Sequence, residues 1–282
     1  MTYRVATAAD APAIAALLRA HIQTSMFPLS NLLAYGLGSD AARGMRFWMR
    51  GDASGVYGET NEGLALPQMP AQRPEDWAAL SALGCGVRLT GALGEAGQIR
   101  AMLAAWGQTD RPARHDSDEP GFSLDLDALR IPAGPDGSHL VPIDAVPEAT
   151  VIAWRSAYHI ETLGTPQDEA RATAAEDVAR WREAGTHRVL IVGGLPAALT
   201  GFNAVVEDVV QIGGVYTPPE SRGRGLARRA LALHLAEVRA AGATRAVLFA
   251  ASDQAARAYT SIGFRPAGRF AMVLFEPSGE GI

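Results

Sequence analysis

The residues best suited to chemistry crowd into one turn. The stretch "VYTPPESRGRGLARR", residues 215–229, holds two prolines, two glycines and four arginines. Pro218 and Pro219 have no amide to donate, so they end strand pairing. Gly223 and Gly225 lack a Cβ, which permits unusual torsions and lets a bulky group reach the main chain. From Leu226 on, Ala227, Leu231, Leu235 and Val238 recur at helical spacing, which puts the glycines at a helix start. The first four amides of a helix lack intrahelical partners and lie at the positive end of its dipole, an arrangement that suits phosphate. Arg222, Arg224, Arg228 and Arg229 add charge to that place.

Two other phosphate loops are excluded by single residues. A dinucleotide G-x-G-x-x-G would need glycine or alanine at Arg228, and a Walker loop needs lysine. All 25 basic residues are arginine, which also removes lysine-based covalent chemistry. The lone cysteine, Cys85, cannot form an internal disulfide, and the six histidines include no H-x-x-x-H pair, so no metal is expected. Cys85 reads as a small buried residue and His234, beside Leu231 and Leu235, as a packed one. A net charge of −5 gives no global pull toward nucleic acid or anionic membranes. Apolar runs fall short of the roughly 20 residues that cross a bilayer. The opening "MTYRVATAADAPAIAALL" lacks a basic n-region and a cleavage site, which points to the cytoplasm.

These residues need elements to position them. At 282 residues, with 48% apolar and 20% charged, the chain has length for two folding units. The first half reads as strand "YRVA", helix "AIAALLRAHI", strands "MRFWMRG", "GVYGET" and "GLALPQ", helix "PEDWAALSAL", strand "GVRLTG" and helix "EAGQIRAMLAAW". Residues 108–120 turn polar, "GFSLDLDALRI" returns to alternation, and "PAGPDG" is the strongest turn cluster, which sets domains at 1–133 and 134–282. The second half reads as strand "HLVPID", a helix with Val151, Trp154, Tyr158 and Glu161 on one face, and a helix "DEARATAAEDVARWREAG". Strands "HRVLIVGG", "AALTGFNAVV" and "VVQIGGVYT" suit a meander, and helix, strand, helix and strand then alternate. The fold class is α/β, mixed α+β, in two similar domains.

With this context in place, "RGRGLA", Arg222 to Ala227, resembles the R/Q-x-x-G-x-G/A pyrophosphate loop of the GNAT superfamily of acyl-CoA-dependent N-acyltransferases. About 30 residues on, "AARAYTSIGF" resembles that family's A-x-x-x-Y-x-x-x-G-F signature. The resemblance covers about residues 138–276, and "YRVATAADAPAIAALLRAH" looks like the opening of a second, degenerate unit of the same kind. It implies a domain with a central, mostly antiparallel mixed sheet flanked by helices, and acetyl-CoA as cosubstrate without a metal.

The same likeness implies roles. Gly213 and Gly214 would form a bulge; Gly214, Val215, Tyr216 and Thr217 would pair with the pantetheine arm, with the amide near Val215 polarising the thioester carbonyl. The amides of Arg222, Gly223, Arg224, Gly225, Leu226 and Ala227 would bind the pyrophosphate. Tyr259 would protonate or hydrogen-bond the departing thiolate, and Ser252, where many members have asparagine, could cap its helix. Some members carry a glutamate base where this chain has Gln211, which could orient a water; the base would then be Glu161, His159, Glu207, Asp208 or solvent, with Glu161 first because Tyr158 and Trp154 share its face. In the first half "LPQMPAQRPEDWAAL" has prolines in place of the glycines, so that half is expected to bind no acyl-CoA. The implied function is acetyl transfer to a primary amine of a small molecule or peptide. The alternatives are a noncatalytic acyl-CoA-binding regulatory module and a transferase using a longer acyl-CoA or an aminoacyl-tRNA, the last disfavoured by the acidic balance.

Overall fold

A computed structural model describes residues 2–277. The chain forms two compact units, 1–119 together with 268–282, and 120–267. In the first, β1 (Tyr3–Val5) leads to α1 (Ala11–Ala20) and α2 (Ile22–Tyr35). Strands β2 (Met45–Arg50), β3 (Val56–Thr60) and β4 (Leu64–Ala65) follow, then α3 (Pro74–Ala82), β5 (Gly91–Glu95) and α4 (Ala96–Ala105). The chain continues through β6 (Ala113–Asp125) into the second unit: β7 (His139–Pro142), α5 (Glu148–Leu163), α6 (Gln167–Ala184), β8 (His187–Val192), β9 (Leu195–Val206) and β10 (Val209–Tyr216). Then come α7 (Leu226–Ala240), β11 (Arg245–Phe249), α8 (Asp253–Ser261) and β12 (Arg265–Phe275).

The two units repeat one plan. The first has strand order β1-β2-β3-β4-β5-β12 and the second β7-β8-β9-β10-β11-β6, antiparallel throughout except for the parallel pairs β4–β5 and β10–β11. Each takes its final strand from far along the chain: Phe270–Leu274 of β12 lie against Gly91–Glu95, and Gly121–Asp125 of β6 against Arg245–Phe249. Ala271, Val273 and Phe275 join Trp77, Ile99 and Met102 in the first core. Phe122 and Leu124 join Phe202, Leu231, Leu235 and Phe264 in a core of the second.

This exchange explains where the sequence expectations depart from the structure. The "PAGPDG" turn lies inside the second unit, so the compact units differ from 1–133 and 134–282. The polar segment read as a connection is strand from Ala113 on; Arg100 of α4 pairs with Asp116 at 2.5 Å and Asp118 at 2.7 Å, which settles its charges. "GVRLTG" is mostly turn, and the strand begins at Gly91, where a Cβ would lie 2.5 Å from the Val273 carbonyl oxygen. Glycine there admits β12 so closely that no apolar alternation marks the strand. An unanticipated helix, α2, tolerates Pro28 while burying Ile22, Met26, Leu29 and Leu32 as one stripe. The other expected elements form. Among the described residues no helix is long and apolar enough to cross a membrane, and no group of three or more His, Cys, Asp or Glu could hold a metal.

Candidate functional site

The site begins where two strands part. β10 runs parallel to β11 only over Val209, Val210 and Gln211, opposite Arg245, Ala246 and Val247, although β11 continues to Phe249. Beyond Gln211, among the described residues, that edge of β10 has no ladder partner on β11. On its other edge Gly213 faces Gly201 and Tyr216 faces Leu199, so Gly214 and Val215 together oppose Thr200. This is a bulge, and Gly214 has the positive φ of 64° that favours glycine. His187 fills the space behind it: its imidazole stacks on Trp181 at 3.7 Å, and its Nε2 would lie 3.2 Å from a Cβ placed on Gly214. Gly201 is required for the same reason, since a Cβ there would come within 2.0 Å of the ring.

The expected loop follows. A single 3-10 turn, Pro219–Ser221, ties the amides of Ser221 and Arg222 to the carbonyls of Pro218 and Pro219. Arg222 therefore has no amide to offer, and the run of open amides starts one residue later than expected. Gly223 and Gly225 have φ of 76° and 71°, and Gly225 is the N-cap of α7 with no side chain capping that end. Among the described residues, no carbonyl accepts from the amides of Gly223 to Arg228; Arg229 N–H is the first to close a helical bond, to Gly225 O. Buried polar atoms along this path also lack partners, among them Oε1 of Gln211 where the strands part, Oγ1 of Thr217 at the strand end, and Nε of Arg228 in the first helical turn. Such orphaned groups are costly in a dry interior and fit a place that receives a polar ligand. A diphosphate and an extended amide-bearing arm match these donors and acceptors.

Ser252 caps α8, accepting the Ala255 amide at 3.2 Å. Tyr259 lies half-buried on the same helix, its ring 6.1 Å from Phe264. Arg228 bonds Ser261 Oγ at 3.3 Å, which ties the start of α7 to the end of α8. Glu161 does reach the site: its Oε1 accepts from the Tyr216 hydroxyl at 3.4 Å and its Oε2 from Arg222 at 2.7 Å. Burial, and after it the Glu161 carboxylate, push Tyr216 upward, so its hydroxyl stays protonated.

The other proposed bases are elsewhere or engaged. Glu207 and Asp208 form the β9–β10 turn, six to seven residues of extended chain from the bulge, roughly 20 Å or more. His159 is buried and bonded through Nε2 to Asp177 at 2.8 Å, with Thr165 Oγ1 3.4 Å from its Nδ1. Burial disfavours the charged form of Asp177, but His159, Arg155 and Arg180 outweigh it and hold the carboxyl well below the usual range. His234 is packed as expected, 4.1 Å from Phe202, with burial pushing it down to about 3, and Cys85 is buried and pushed up to about 12.

Sequence reasoning missed His187 and the Arg222–Glu161 pair. Burial, with His234 second, holds His187 neutral, and its Nε2 has no partner. Neither feature has a local signature, because each depends on residues brought together from separate elements.

Residues 150–264 match the family model described as Acetyltransferase (GNAT) family. No curated protein matches the chain significantly. Among solved structures it is similar to a tandem GNAT protein from the clavulanic acid biosynthesis pathway, at 18% identity, over 98% of this chain and 99% of that one, with a TM-score of 0.57. It is also similar to a GCN5-related N-acetyltransferase from Kribbella flavida (18% identity, 94% and 96% covered, TM-score 0.58) and to one from Sphaerobacter thermophilus (17%, 96% and 94%, 0.59). At these identities the likeness is one of fold. Residues 150–264 thus form a domain of the GNAT acetyltransferase family, and the chain shares its fold with a tandem GNAT protein along nearly its whole length.

Proposed function

We propose that the second unit binds acetyl-CoA and transfers its acetyl group to a primary amine of a small molecule or peptide. The observation that carries this reading is the run of unpartnered amides from Gly223 to Arg228, set one strand-end away from the opening beyond Gln211. Bound there, the cosubstrate supplies an activated thioester. The chain's own part is positioning: loop amides and helix dipole hold the diphosphate, and the edge of β10 from Ile212 to Tyr216 offers main-chain groups to the pantetheine arm. The Val215 amide, turned by the bulge, would polarise the carbonyl. In the transfer the amine nitrogen bonds to the carbonyl carbon and passes a proton to water, the C–S bond breaks, and the thiolate takes a proton from Tyr259, which regains one from solvent, or bonds its hydroxyl. Gln211 would orient a water at the apex of the opening.

Calorimetry with acetyl-CoA, followed by thiol release against a panel of amines, tests this directly. One acetyl-CoA per chain and turnover with an amine are expected; absence of binding would sink the proposal. Tyr259→Phe should lower kcat about 10- to 100-fold with little change in acetyl-CoA affinity. A second reading, an acyl-CoA-binding module without catalysis, is favoured by one observation: Glu161, the base candidate that reaches the site, is already engaged by Arg222, and His159 is buried against Asp177. Tight binding with no thiol release from any amine would select it.

A further inference from the structure

Arg222 sits where a cation is welcome. Its Nη2 donates to Glu161 Oε2 at 2.7 Å and lies 3.4 Å from the Tyr216 hydroxyl, its Nε donates to the Thr217 carbonyl at 2.9 Å, and its guanidinium carbon stands 5.5 Å from the centre of the Tyr216 ring. A carboxylate beside an aromatic face is the chemistry that recognises ammonium groups. Trp154 widens the aromatic surface, its ring centre 6.4 Å from that of Tyr216. The group filling this setting is tethered to the loop whose amides await an anion. Both members of the pair are about half-exposed, 48% and 43%, and an exposed ion pair is a weak hold. A guanidinium meeting phosphate oxygens makes stronger, paired bonds.

Resting on the acyl-CoA reading of the loop, we infer that Glu161 and Tyr216 form the recognition site for a cationic acceptor amine. Arg222 occupies that site until a diphosphate at the loop draws its guanidinium away. Glu161 then binds the acceptor's ammonium group directly, once Arg222 has left it. Acceptors that carry a positive charge at neutral pH are preferred over uncharged amines of similar size, because Glu161 and the Tyr216 face give the charge its partners.

Binding alone tests this, without turnover. Calorimetry of the full chain with coenzyme A compares the wild type with Glu161→Gln and Arg222→Gln; butylamine is then titrated into each protein with and without coenzyme A. Glu161→Gln no longer holds Arg222, so it should bind coenzyme A about two- to fivefold more tightly, while Arg222→Gln binds it about tenfold more weakly. Butylamine should bind the wild type only in the presence of coenzyme A, and should not bind Glu161→Gln. Equal or weaker coenzyme A affinity in Glu161→Gln, or butylamine binding unaffected by that substitution, overturns the inference while leaving the acyl-CoA reading in place. No coenzyme A binding by any of the three proteins removes the reading and the inference together.

Discussion

α3 and α7 occupy the same slot in the two units, each following the fourth strand of its sheet and preceding the strand parallel to it. Their first turns are opposites. α3 starts from Arg73 and Pro74, and its third residue, Asp76, is 1% exposed; the carboxylate accepts the Arg73 amide at 2.8 Å, the Tyr3 hydroxyl at 2.8 Å and an Arg50 nitrogen at 3.3 Å. The loop before it is closed as well, with the Gln68 amide bonded to Val56 O, Met69 to the Gln98 side chain and Gln72 to Met69 O. At α7 glycine supplies the cap, and the residue in the place of Asp76 is Arg228. One helix start is filled from within; the other has no side chain capping it.

The largest effect should come from emptying the filled start. Asp76→Ala leaves the Arg73 amide, the Tyr3 hydroxyl and a buried face of Arg50 without their acceptor, and breaking a buried pair of this kind costs about 3 kcal/mol. The urea midpoint of the full chain should fall accordingly, with acetyl-CoA still binding at one per chain. A stoichiometry of two would break the comparison, because it would mean that the carboxylate alone keeps the first unit from binding.

Gly225→Val should come next. Valine is strained at φ 71°, and its Cβ would press within 3.2 Å of Arg228 Nη2, so the loop must shift and the amide run loses its alignment. An acetyl-CoA dissociation constant raised about 100-fold, or ~2.7 kcal/mol, with an unchanged far-UV spectrum, is expected. Wild-type affinity would mean that the amides after Gly223 hold nothing.

How far this contrast could be read beforehand depends on distance along the chain. The α7 start was legible because its cause is local: Pro218 and Pro219 stop the strand, Gly223 and Gly225 open the turn, and Leu226, Leu231 and Leu235 set the helix. The prolines of the first unit gave the negative expectation for the same local reason. Asp76 was not legible, since its three partners come from β1, β2 and the residue before α3. The exchanged final strands escaped notice because "FRPAGRFAMVLFE" reads as a strand wherever it pairs, and nothing in it records that Phe270–Leu274 lie against Gly91–Glu95. The bulge was visible as paired glycines, but not His187, whose ring is the reason that Gly201 must lack a side chain.

The smallest of the three effects is the most discriminating, because it copies one helix start onto the other. Arg228→Asp puts a carboxylate at the position that Asp76 holds in α3, where it can accept the open amides and complement the helix dipole. It gives up a 3.3 Å bond to Ser261 and a cation beside the proposed diphosphate site. The helix should gain about 0.5 kcal/mol in stability. Acetyl-CoA affinity should drop about tenfold, ~1.4 kcal/mol, since the new carboxylate competes for the same amides and repels the anion. Arg228→Ala separates the two causes: losing the cation alone should weaken binding about threefold, less than the aspartate does. If aspartate and alanine weaken binding equally, the carboxylate is not what closes a helix start of this kind. The burden would then shift to Pro67, Pro70 and Pro74, which withhold amides from the first unit's loop whatever follows them.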